Sequence, residues 1–226
     1  EKPTDDEKIK LLDELLNSYL TRDIQLLDYT INPSQLKKIL SLLSAQVGGL
    51  LDINNIATNA GIGRTALINR FDLLQRTYIL HFIRPFFTNK IKEIVKNPEI
   101  FLVDCGLRNI LTQTFSVQIG TPIFGQIAEN FAITELMKKN NLQTQINFWR
   151  TKQRQEVDIV VRKEGELIPI EIKSGTVETI PNGLRSFIRE YHPKVAYVLN
   201  WTHVSDMEFN GCTIHFRPLW WTENIL

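Results

Sequence analysis

The passage from Val157 to Lys173 constrains this chain more than any other. Val157, Ile159 and Val161 alternate with Asp158, Val160 and Arg162, and Ile168, Ile170 and Ile172 alternate with Pro169, Glu171 and Lys173. Patterning with a period of two reads as a pair of strands, and Lys163-Glu164-Gly165-Glu166 between them reads as a tight turn. A turn centred on Glu164-Gly165 sets Asp158 opposite Glu171, and two- and four-residue loops give the same pairing. Directly opposed residues hold their Cβ atoms about 4.5–5.5 Å apart. Two carboxylates that close repel unless a positive charge lies between them. Lys173 shares the face of Glu171, because side chains alternate along a strand. The pattern therefore specifies a divalent-cation cradle with an ammonium beside it, the equipment of a phosphodiesterase.

The whole chain narrows the setting. Its 226 residues suit two domains. A net charge of +1 supplies no global field, so any nucleic-acid binding must use local patches. Cys105 and Cys212 are too few for a disulfide framework, which favours a reducing cytoplasm. No apolar run approaches the ~20 residues of a membrane span, so a membrane partner is not expected. The polar, acidic stretch Glu1 to Glu7 has no initiator Met and reads as cut from something longer.

Helical spacing over residues 6–30 puts Ile9, Leu12, Leu16, Tyr19 and Leu20 on one stripe. Ser34, after Asn32-Pro33, is the expected cap of a helix running to about Val47. Two further helical patterns, between Ile53 and Tyr78, are separated by Gly61-Ile62-Gly63. Ile79–Ile83 reads as a strand ended at Arg84-Pro85, and Phe101-Leu102-Val103 as a short edge strand. From about Ile123 a helix to Asn140 is followed by strands near Gln145–Arg150, Val157–Arg162 and Leu167–Lys173, a helix over Leu184–Tyr191, and a strand over Val195–Leu199. The expected domains are a helical segment over 1–33, a helix-turn-helix unit over 34–88, and an αβββαβ domain over 89–226. The fold class is mixed, α+β or α/β.

The segment Ile53 to Leu67 has helix-turn-helix spacing. Ala57 lets two helices approach, Gly61 turns the chain, and Leu67 packs the second helix. Arg64, Thr65, Asn69, Arg70 and Arg76 are the expected nucleic-acid contacts on the outer face of that helix. The Ile79–Ile83 strand fits a wing. From Gly61 to Lys96 the sequence carries seven basic residues, Lys90 and Lys92 among them, against Asp72 and Glu93. This local excess makes DNA the expected partner. The alternative is a winged helix that only joins its flanking domains.

The αβββαβ order, with Asp158 on the second strand and Glu171-Ile172-Lys173 on the third, resembles the restriction-endonuclease-like superfamily and its PD-(D/E)XK signature. The resemblance implies that Asp158 and Glu171 hold Mg²⁺, that Lys173 orients or polarises the attacking water, and that Glu129 completes the metal site as a catalytic helix carboxylate. Glu129 also has support of its own, because Ile133 and Leu136 share its helix face and a carboxylate among apolar neighbours needs a partner. Val157 stands where the strict signature has Pro. The plain alternative is a Glu171–Lys173 pair on a solvated sheet face, within a fold that keeps no cleavage activity.

Taken together, Tyr19 to Ile24, Phe101 to Leu107, Gly125 to Leu136, Glu156 to Val160 and Pro169 to Ser174 resemble the C-terminal region of a family of AAA-type P-loop ATPases. In that family an ATPase core precedes a winged helix and a C-terminal domain with the endonuclease-like fold. The resemblance implies an ATP-binding parent protein, with the ATPase core as a partner within it; a scaffold that binds a protein partner or its own copies as a homo-oligomer is a separate alternative. This chain has no Gly-x-x-x-x-Gly-Lys-Ser/Thr loop, so ATP is assigned only to the part that is missing here. His81, His192, His203 and His215 lack metal-ligand spacing, and Trp149, Trp201, Trp220 and Trp221 read as core and tail anchors.

Overall fold

The computed structural model describes residues 4–139 and 144–225, except for the side chains of residues 90, 92 and 95. Two compact units result. The first takes the chain up to His81 together with Ile100–Ser116, and the second takes Phe82–Glu99 and the chain from Val117 onward.

The first unit is helical. Helix α1 (Asp5–Ser18) opens on a capping box between Thr4 and Glu7, then runs through a π-helical stretch, Tyr19–Asp23, into α2 (Ile24–Leu27). Helix α3 (Pro33–Ser44) is capped by Asn32, which accepts the Gln35 amide at 3.1 Å; the cap falls there and not on Ser34. The reason is Pro33, whose missing N–H and fixed φ suit the first helical position. Helices α4 (Ile53–Ala60) and α5 (Arg64–Arg76) form the expected pair. Gly61 closes α4 at φ 70°, a left-handed conformation that a side chain would strain. Leu20, Leu36, Leu40, Leu43, Ile56, Leu67 and Leu74 are fully buried and make the core of this unit. Helix α7 (Cys105–Thr112) has no counterpart in the sequence patterning. Asp104 starts it by accepting the Leu107 amide at 2.8 Å, an ordinary N-cap.

The strands are β1 (Leu80–Pro85), β2 (Glu99–Leu102), β3 (Thr144–Arg150), β4 (Glu156–Lys163), β5 (Glu166–Ile172), β6 (Val195–Asn200), β7 (Ser205–Phe209) and β8 (Cys212–Pro218). They form one mixed sheet in the order β2-β1-β3-β4-β5-β6-β8-β7. Helix α6 (Lys90–Val95) lies between β1 and β2 in sequence, α8 (Pro122–Lys139) precedes β3, and α9 (Asn182–Tyr191) lies between β5 and β6. The stretch from α8 to β6 thus runs helix, three strands, helix, strand, as the sequence patterning anticipates. The fold class is mixed α/β, with helices first and the mixed sheet after.

The strand assigned to a wing does more than that. β1 continues through Pro85 and pairs in parallel with β3, through Arg84↔Asn147 and Pro85↔Phe148. Proline ends a strand only where its amide is needed, and here the next amide, on Phe86, makes the bond to Phe148.

The core of the second unit lies under α9. Phe187, Ile188 and Leu184 pack against Val157, Val160, Val198, Ile214 and Phe216. Trp149 meets Phe187 edge-on at 5.4 Å and donates its indole N–H to the Tyr191 hydroxyl at 3.3 Å. Close approach of α9 to β4 depends on Gly183, since a Cβ there would collide with the backbone carbonyl of Glu156.

Candidate functional site

The β4–β5 hairpin sets the site. Its register is Ile159↔Ile170, Val160↔Pro169 and Lys163↔Glu166, which carried one step further sets Asp158 opposite Glu171. Glu164 and Gly165 both have positive φ, the conformation of a two-residue hairpin turn whose twist matches the strands. On its other side β4 pairs with β3 irregularly. Asn147 faces Val160 and Trp149 faces Val157, so β4 carries one extra residue at Asp158–Ile159. Such a bulge re-aims the side chain it carries.

Asp158 Oδ2 accepts the Ile172 amide at 2.6 Å, and Glu171 Oε1 accepts from Lys173 Nζ at the same distance. Glu171 is 3% exposed, so this is not a solvated sheet face. Its second oxygen, Oε2, is buried and has no hydrogen-bond partner. Glu129 comes in from α8, on the face where Ile133 and Leu136 are buried. It feels the charges of Asp158, Lys173 and Glu171, so the structure brings all four expected residues into one electrostatic cluster. A fourth acid joins them. Glu99, at the head of β2, is buried and senses Glu129 and Asp158. A lone acid opening the apolar run Ile100-Phe101-Leu102 was the only available signal, and sequence reasoning passed over it.

Burial governs the protonation of this cluster. It pushes Glu99 up to about 9, with Glu129 and Asp158 adding repulsion. Burial and then Asp158 push Glu129 up to about 8, and the same causes act on Glu171, which also reaches about 8. Asp158 rises less, to about 6, because Lys173 and the Ile172 amide oppose its burial. Burial pulls Lys173 down, but Glu171 and Asp158 outweigh it and hold the ammonium above its ordinary range. At neutral pH most of these acids therefore keep their protons, and Lys173 keeps its charge.

The donors have the hard-oxygen chemistry of a Mg²⁺ site, and the bare Glu171 Oε2 is the atom a cation would seek. Their arrangement does not fit. Lys173 occupies one oxygen of Glu171, a backbone amide occupies one oxygen of Asp158, and among the described residues no three His, Cys, Asp or Glu side chains are grouped to hold a metal ion. The geometry serves as a closed acid–lysine cluster.

The helix-turn-helix residues form a separate, exposed site within the first unit. Arg64, Thr65, Asn69 and Arg76 are exposed along α5. Arg64 donates to Asn54 Oδ1 at 2.6 Å, which ties the start of α5 to α4. Arg70 differs from the others. It is half-buried and pairs with Asp28 at 3.3 Å. The side chains of Lys90 and Lys92 lie outside the described residues.

These features define a class of protein: a helix-turn-helix unit followed by a mixed-sheet unit that carries a buried acid–lysine cluster. The chain belongs to the family described as a domain of unknown function, DUF8612, which matches residues 1–118. Residues 124–218 match a second domain of unknown function, DUF4143. Two curated relatives are the uncharacterized protein Mb2031c of Mycobacterium bovis and the uncharacterized protein Rv2008c of Mycobacterium tuberculosis. Each is 24% identical over 180 residues, which is 77% of this chain and 40% of the relative. The chain thus spans about two-fifths of their length. Among solved structures, MepR, a transcription regulator of the Staphylococcus aureus multidrug efflux pump MepA, aligns at 14% identity over 61% of this chain and 81% of its own. The TM-score of that alignment is 0.27. No described helix is long and apolar enough to cross a membrane.

Proposed function

We propose that this chain is a nucleic-acid-binding module of a longer protein, in which α5 contacts duplex DNA and the endonuclease-like unit is kept for binding or regulation, not cleavage. The carrying observation is the exposed face of α5, where Thr65, Asn69 and Arg76 lie opposite the core that Leu67, Phe71 and Leu74 build, with Arg64 exposed in the first turn of the helix. Arginines of this kind neutralise phosphates, and Thr and Asn reach base edges when such a helix enters the major groove. Arg70 is assigned a supporting role, since Asp28 already holds it. The resemblance to the ATPase family supports, as part of this proposal, an ATP-driven core elsewhere in the parent protein as the recipient of the module's output.

Fluorescence anisotropy with a labelled duplex tests this. Affinity should fall steeply between about 50 and 200 mM salt, and replacing both Arg64 and Arg76 with Ala should flatten the log–log slope by about two. Binding that ignores salt, or that the double variant leaves intact, defeats the reading.

One observation favours a second reading. The unpartnered Glu171 Oε2 is a feature that a Mg²⁺-dependent phosphodiesterase would use, with Asp158, Glu171 and Glu129 as ligands and Lys173 as the adjacent cation, although the arrangement seen here does not itself form a metal site. That reading requires Lys173 to let go of Glu171 before any ion enters. Mn²⁺- or Mg²⁺-dependent nicking of plasmid DNA, abolished by Asp158→Ala, would install it in place of the first. Activity that persists in chelator would remove it.

A further inference from the structure

Helix α1, the π-helical stretch and α2 form one continuous rod from Asp5 to Leu27. One face of it belongs to the core of the first unit, where Leu16, Leu20 and Ile24 are buried. A second face is also apolar, and it is bare. Leu11 is 56% exposed, Leu15 58%, Leu26 81% and Leu27 63%. A helix with one apolar stripe needs one neighbour; a helix with two needs cover on both sides. Single exposed leucines are ordinary, whereas a contiguous set marks a surface that another element covers.

The π-helical stretch brings the second face into line. Leu11 and Leu15 are neighbours at i and i+4. Leu27 follows Leu15 by twelve residues, which in an unbroken α-helix falls about a third of a turn out of line. At the stretch the Ile24 amide donates to the Tyr19 carbonyl, five residues back, so one extra residue is absorbed. The eleven that remain make about three turns, and Leu27 returns to the line of Leu15. By the same count Leu26 falls about four turns from Leu11. Insertions of this kind weaken the regular ladder and concentrate at functional sites.

The charges around the face narrow what can cover it. From Asp5 to Asp28 seven acids stand against three bases. Lys8, Lys10 and Arg22 pair with Asp5, Glu14 and Asp23, and Lys37 and Arg70 offset Asp13 and Asp28. Asp6 and Glu7 remain as surplus. Surplus acid disfavours the phosphates of nucleic acid or of a lipid surface, and it disfavours the same face of a second copy. The curated relatives, for their part, carry length that this chain does not, since it aligns with 40% of each. A segment tethered in the same polypeptide meets the face at high effective concentration. We infer that the face of Leu11, Leu15, Leu26 and Leu27 docks the rest of the parent polypeptide, through an apolar surface that carries no excess of acid. The inference rests on the reading of this chain as a module of a longer protein, and it is independent of DNA contact by α5.

Hydrogen exchange read by mass spectrometry, on the full-length parent and on this chain, tests the docking. Amides of residues 8–27 should exchange about tenfold or more slowly in the parent, and Leu15→Gln combined with Leu27→Gln should return them to the rate of the free chain. Gln propagates a helix nearly as well as Leu, so the double variant should leave the urea midpoint of the free chain unchanged. Equal exchange in parent and chain, or a slowing that survives the double variant, overturns the docking. Self-association of the free chain in light scattering, abolished by the double variant, overturns it too, because a second copy would then hold the face. A native protein no longer than this chain would defeat the parent reading itself. Duplex affinity should be the same in the double variant, so failure of the α5 reading would show separately in the anisotropy assay.

Discussion

The two candidate sites differ in what holds them. On α5 the side chains other than half-buried Arg70 stand in water and their positions follow from helical periodicity, so each of those can be replaced without disturbing the core. At the β4–β5 hairpin the ionisable groups are enclosed, and their protonation follows from which neighbour each one meets. Exposed charge is worth little to folding and much to steering and contact. Enclosed charge is costly unless partnered, and so its presence reports a constraint. The contrast gives a set of substitutions whose effects should fall in a definite order.

The largest effect belongs to neither site but to the packing beneath one of them. Gly183→Ala would force α9 away from the Glu156 carbonyl, a backbone atom that cannot rotate aside. Loss of about 3 kcal/mol is expected by urea denaturation. A neutral result would mean that α9 does not sit as close to β4 as described.

Next comes Lys173→Ala, which leaves Glu171 enclosed with both oxygens lacking a side-chain partner. Because the acid can retain its proton and the Lys173 side chain is 36% exposed, the cost is held to about 2 kcal/mol at pH 7. Arg64→Ala should stay within about 0.5 kcal/mol in the same assay. Equal costs for the two would erase the distinction between the sites.

A third effect separates them by pH. The folded state keeps protons on Glu99, Glu129 and Glu171 that the unfolded chain releases near the ordinary carboxylate value. Between those two limits the folded state binds more protons, so stability must fall as pH rises. Thermal melts should show a declining midpoint from about pH 5 to pH 9, and Glu99→Gln should flatten the decline. A midpoint that climbs over this range would contradict the enclosure of these acids.

Much of the hairpin was legible from residues alone. Alternation fixed the faces of Val157–Val161 and Ile168–Ile172, and Glu164-Gly165 fixed the register, because a two-residue turn leaves no slack. The α4–α5 pair was legible from Gly61. The features that escaped depend on tertiary placement. Glu99 joins the cluster only because β2 takes its place in the sheet, and nothing local announces that. Helix α7 is short and starts on Asp104, a residue equally at home in a turn. The bulge at Asp158, and the pairing of Arg70 with Asp28 far back in the chain, require coordinates. Trp220 and Trp221 look like anchors in a sequence because aromatic residues usually are; their exposure does not show in it.

Hydrogen exchange of the chain with and without duplex DNA tests the central assignment most directly. Slowed exchange confined to α5 and the preceding turn, with the β4–β5 hairpin unchanged, is the predicted pattern. Protection that spares α5 while the hairpin slows would contradict the account and hand duplex binding to the acid–lysine unit.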